Sequence, residues 1–109
     1  MSQGWQPLDE LFAALADPTR RQILQHLVHD GPATATRLAE RFPLSRQAVV
    51  KHLQTLANAG LVAADRAGRE VRYRATTERL ADAVSWLLET SDQWDRRAER
   101  LRRRSSPAP

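Results

Sequence analysis

Between Ser45 and Asn58 the chain sets Arg46, Gln47, Lys51, Gln54 and Asn58 among apolar residues, with no aspartate or glutamate in the stretch. Projected on a helix at about 100° per residue, Val49, Leu53 and Leu56 fall on one side. Gln47, Lys51, Gln54 and Asn58 fall on the other, with Val50 beside them and Arg46 in the exposed first turn. These residue types match the edges of DNA bases: glutamine pairs with adenine through two bonds, arginine and lysine favour guanine, and a valine methyl meets that of thymine. A face turned only to water is polar too, but it ordinarily carries both signs of charge. Ser45 caps the helix at the same end, and His52, on the flank of the apolar stripe, reads as a packed or phosphate-contacting residue. The predicted DNA-contacting set on this helix is therefore Ser45, Arg46, Gln47, Val50, Lys51, His52 and Gln54.

A second basic group follows in LVAADRAGREVRYRAT, where apolar and charged residues alternate on both sides of Ala67-Gly68 as in a hairpin. Val71, Tyr73 and Ala75 are expected to face inward, and Glu70, Arg72 and Arg74 outward. Arg66 and Arg69 at the tip, or Arg72 and Arg74 along the outer edge, would meet phosphates or the minor groove. A solvated hairpin edge is the competing reading.

These groups need a scaffold, and the preceding chain supplies one. Leu8, Leu11, Phe12 and Leu15 form the apolar stripe of a first helix. Asp17-Pro18 stops the chain and starts a second helix, with Asp17 as cap and Pro18 in the first turn. Ile23, Leu24, Leu27 and Val28 are its apolar face, and Gly31-Pro32 ends it. A short third helix runs from about Thr34 to Phe42, with Ala35, Leu38, Ala39 and Phe42 inward. Pro43-Leu44 breaks it before the helix capped by Ser45, which Gly60 ends. The order is α-α-α-α-β-β-α: a mainly α winged helix-turn-helix with a small β-hairpin wing. Residues 1–104 are expected to form one domain, and 105–109 a disordered tail.

The last helix, from about Thr77 to Arg104, spans roughly 40 Å and outruns so small a domain. Leu80, Val84, Leu87, Ser91, Trp94, Ala98 and Leu101 recur at alternating steps of four and three, the seam of a helix packed lengthwise on another. A homodimer contact is the expectation; a helix lying on its own domain is the alternative. Trp94 belongs to the seam and Trp86 lies off it, and a small-molecule effector pocket walled by either is a further possibility.

Composition narrows the function. A chain of 109 residues with 41% hydrophobic and 28% charged residues folds as a globular protein and has no room for a separate catalytic domain. Net charge is +4, and Lys51 is the only lysine among 17 basic residues, which suits a phosphate-bearing partner. The absence of cysteine removes disulfides, thiolate metal sites and cysteine nucleophiles. His26 and His29, three apart, have a spacing seen in zinc sites, but two ligands are too few. No metal or other cofactor is expected. Without a glycine-rich phosphate loop, or a histidine beside a nucleophile and an orienting acid, an enzyme is not expected either. The apolar runs are too short to span a membrane and the start lacks a secretory signal, so a cytoplasmic protein is expected.

From about Leu11 to Leu101 the chain resembles the ArsR-type family of bacterial repressors. The resemblance is carried by LADPTRRQILQHL at Leu15 to Leu27, SRQAVVKHLQTLANAGLV at Ser45 to Val62 and GREVRYRAT at Gly68 to Thr76. It implies a recognition helix in the major groove of double-stranded DNA, a palindromic operator, and repression by occluding promoter DNA. It also implies a dimer built from the first and last helices, which brings Leu8, Leu11 and Phe12 to the contact beside Leu80, Val84, Leu87, Ser91, Trp94 and Leu101. Val50 stands where members often carry serine. The family's metal-sensing sites need third-helix cysteines, where this chain has Thr34 to Ala39, and last-helix histidines, of which it has none. The likeness is thus to a metal-free branch. The alternative function is a winged-helix module for protein contacts or for architectural nucleic-acid binding without sequence choice.

Overall fold

A computed structural model describes residues 6–105, so Trp5 and residues 106–109 of the expected tail lie outside the described residues. The elements are α1 (Gln6–Leu15), α2 (Pro18–Asp30), β1 (Ala33–Thr34), α3 (Ala35–Arg41), α4 (Arg46–Asn58), β2 (Val62–Ala67), β3 (Glu70–Ala75) and α5 (Glu78–Ser105).

Caps set the helix boundaries. The Asp17 carboxylate accepts from the backbone N–H of Thr19 at 2.8 Å and of Arg20 at 3.2 Å, and Pro18 occupies the first turn of α2, where no N–H is needed. The N–H of Arg20 and the other donors hold the Asp17 carboxyl below its ordinary range. Arg20 and Arg21 then reach back. Arg20 Nε donates to the Ala14 carbonyl at 2.7 Å and an Arg21 guanidinium N–H to that of Leu15 at 2.6 Å. Carbonyls in the last turn of α1 have no partner within the helix, so Asp-Pro-Thr-Arg-Arg is a joint that closes both helix ends at once. Gly31, with φ at 89°, ends α2, and Thr34 and Ser45 cap α3 and α4 through their hydroxyl oxygens.

Leu11, Ile23, Leu38, Val49, Leu53, Leu56 and Leu61 are fully buried in one core shared by α1 to α4 and the start of β2. Two features differ from the sequence reading. Ala33–Thr34 forms a third strand on the free edge of β3, with Ala33 opposite Tyr73 and Thr34 opposite Arg72, so the sheet order is β1-β3-β2. Two residues are too few to show a period-two pattern; what recruits them is the unpaired edge of β3. The hairpin turns one residue later than expected. Ala67 pairs with Glu70, leaving Gly68 and Arg69 as the turn. Gly68 takes the positive φ of 64° that the first turn position requires in a type II′ hairpin.

α5 leaves this body. Ala83 is buried and Leu80 half-buried, but Val84, Leu87, Leu88, Trp94 and Leu101 are 50 to 66% exposed. The overhang stretches the molecule to 73 × 31 × 20 Å. Leu11, expected at the dimer contact, is a correction: it has no exposed surface, because it points from α1 into the protomer's own core.

Candidate nucleic-acid interface

The candidate surface begins at the N-terminus of α4. Ser45 Oγ accepts from the Ala48 N–H at 3.1 Å, so its first task is the cap, and the cap sets the direction in which the first turn projects. Arg46, Gln47, Lys51 and Gln54 are exposed, while Val49, Leu53 and Leu56 are anchored in the core. Val50 packs partly against the core and still reaches the surface. His52, expected as a packed or phosphate-contacting residue, is half-buried on α4.

The sheet register sorts the wing arginines. Cross-strand partners share a face, so Arg66 lies with Val71 and Tyr73, and Arg72 with Asp65 and Glu70 on the opposite face. On the first side runs a groove walled by Arg46 and Val50 of α4, Thr36 of α3, and Arg69, Val71 and Tyr73 of the wing, and Glu70, next to the turn, borders it as well. Arg46 and Arg69, far apart in sequence, thus border the same space. Arg66 and Arg69 have no ion-pair partner among the described residues. Arg74 Nε lies 2.8 Å from Asp65, and Arg72 lies 3.3 Å from Glu70.

The sheet separates Arg72 from the other predicted wing residues. Arg72 stands on the face of β3 turned away from the groove, beside Arg37 and Arg41 of α3. Sequence reasoning passed over those two arginines because it followed only the inward side of the third helix; their four-residue spacing was the available signal.

Of the predicted dimer residues, Leu8 and Phe12 pack partly against the core, and Phe12 meets Trp86 edge-on with ring centroids 5.6 Å apart. Val84, Leu87, Ser91, Trp94 and Leu101 are exposed along α5, and Leu88, absent from the seam, is 66% exposed. His26 is engaged by Asp30 at 2.8 Å and by the edge of Phe42. No three histidine, cysteine, aspartate or glutamate side chains gather as a metal site among the described residues. Nor, among those residues, is any helix long and apolar enough to cross a membrane.

Comparison with known proteins gives three likenesses beyond the match of residues 15–63 to a family model described as a helix-turn-helix domain. The transcriptional repressor SdpR of Bacillus subtilis (strain 168) is 34% identical over 88 residues, which are 81% of this chain and 97% of that protein. An ArsR-like transcriptional regulator from Rhodococcus sp. RHA1 superposes with a TM-score of 0.85 at 38% identity, covering 96% of this chain and 98% of that one. The homodimeric winged helix-turn-helix DNA-binding domain Mb0332 of Mycobacterium bovis superposes at a TM-score of 0.64 and 28% identity, over 80% of each chain.

Proposed function

Because the chain belongs to the ArsR family of winged helix-turn-helix transcriptional regulators, we propose that it represses transcription by occupying a palindromic operator as a homodimer in the cytoplasm. The observation that carries this reading is the acid-free face of α4, where Arg46, Gln47, Lys51 and Gln54 are exposed beside a groove closed by Arg69. In this reading α4 lies in the major groove and Gln47 and Arg46 read base edges. Arg66 and Arg69 hold the adjoining backbone, which fixes the register of α4 without itself choosing sequence. Val50 supplies the apolar contact.

Dimerisation supplies the second half-site. The exposed stripe of α5, from Val84 to Leu101, supports a lengthwise contact with the same helix of a second copy, since large apolar side chains in a row are rarely left to water. Two-fold symmetry of the protein then requires two-fold symmetry of the operator. With no cysteine in the chain and no histidine in α5, release from DNA proceeds without the family's thiolate or last-helix metal chemistry.

Selection of bound duplexes from a random library tests the reading. The expected product is an inverted repeat with half-sites about 10 base pairs apart, bound about 10³-fold or more above random duplex. Equal affinity for all duplexes would replace repression by architectural binding. A protein that is monomeric at micromolar concentration would remove the palindrome from the argument.

A further inference from the structure

On the face of β3 away from the α4 groove lies a second, solvent-open cavity of about 610 Å³, where the end of α2, the outer side of α3 and β3 meet. Arg37 and Arg41 line it from α3, Arg72 and Glu70 from β3, and His26 and Asp30 from α2. Its acids are engaged: Asp30 lies 2.8 Å from His26 Nδ1 and Glu70 lies 3.3 Å from Arg72. Arg37 and Arg41 have no ion-pair partner among the described residues. Arg41 rests 5.5 Å over the Phe42 ring, which places its guanidinium without neutralising it. Like charges one turn apart weaken a helix, and Glu40, the one acid of α3, enters no ion pair among the described residues that would relieve them.

We propose that this cavity is an effector site for a small molecule bearing a phosphate group. A terminal phosphate presents three acceptor oxygens, and guanidinium groups are the side chains best matched to them. Arg37 and Arg41 hold the anion, and Arg72 turns to it from Glu70. Glu70 and Thr34 also wall the α4 groove, so the two spaces share a partition. A phosphate in the cavity therefore leaves the Glu70 carboxylate less compensated beside Arg46 and Arg69, and occupation weakens DNA binding. This coupling, though not the phosphate site itself, rests on the groove being the DNA interface.

The test uses the isotopically labelled full chain titrated with inorganic phosphate at constant ionic strength. Expected are saturable amide shifts confined to residues 31–41 and 70–72, with a Kd of about a millimolar. They should be lost in an Arg37→Gln/Arg41→Gln variant and retained in Arg66→Gln. Uniform, unsaturated drift, or shifts that survive the double variant, would mean an adventitious ion only and overturn the proposal. In a second arm without phosphate, the double variant should bind operator as the parent does. A uniform loss on every duplex, with a shallower salt dependence, would assign Arg37 and Arg41 to the DNA backbone and also overturn it. If the chain binds no DNA at all, the titration still decides the phosphate site.

Discussion

Replacing Arg69 with alanine is expected to change the salt dependence of operator binding by an amount that the ion pairs of the wing determine. Each protomer turns four basic side chains without ion pairs toward the proposed DNA face: Arg46 and Lys51 on α4, Arg66 and Arg69 on the wing. Arg72 and Arg74 are left out of the count because they lie on the face of β3 away from the groove, where they pair with Glu70 and Asp65. A dimer thus offers eight cations, and at about 0.9 released counterions per phosphate the slope of log K against log salt is about −7. Arg69→Ala removes one cation per protomer and should flatten the slope to about −5. Between about 50 and 200 mM salt, the parent should lose roughly 10⁴-fold in affinity and the variant roughly 10³-fold. Fluorescence anisotropy of a labelled operator across that range measures both. An unchanged slope in the variant would take the wing tip out of the interface. A parent slope near −11 would mean that Arg72 and Arg74 leave their carboxylates for DNA, and would refute the use of those ion pairs to sort the arginines.

Gln47→Ala should cost about 1 to 3 kcal/mol on the selected operator and relax preference at one base position, read from competition with singly altered duplexes. Trp94→Ala should raise the dimer dissociation constant at least tenfold by sedimentation, since a central exposed tryptophan on a seam has the character of an interface anchor, and leave the protomer folded. Leu11→Ala should instead lower protomer stability by about 2 to 5 kcal/mol in denaturant unfolding, because it opens a hole in the core. Asp17→Asn tests the first joint by pH. The folded carboxyl titrates below its ordinary value, so its stabilisation is present above the unfolded pKa and fades as pH falls through the folded one. The variant should lose that acid limb of the melting curve while keeping a cap acceptor, and a parent curve flat through the acid range would refute the assignment.

Much of the fold was legible locally. Asp17, Thr34 and Ser45 announce helix starts because a cap acts on N–H groups within three residues, and Val49, Leu53 and Leu56 announce the inner face of α4 because a helix repeats every few residues. The exposed, acid-free side of α4 followed as the complement of that inner face. The sorting of arginines was not legible. Arg69 and Arg72 are three residues apart and chemically alike, yet one borders the groove and the other the opposite cavity, and the difference depends on a register that a one-residue shift of the turn would alter.

By itself the sequence determined the helices, their caps, the apolar seam of α5 and the polar character of the α4 face, because each depends on interactions a few residues long. Tertiary structure decided the rest: that Leu11 is core, that Ala33–Thr34 completes the sheet, that Arg46 meets Arg69 across one groove, and that Arg37 and Arg41 join Arg72 behind it. Those relations join residues that lie far apart along the chain. Only the packing of α2, α3 and α4 around one core, with β3 laid beside them, brings them into reach.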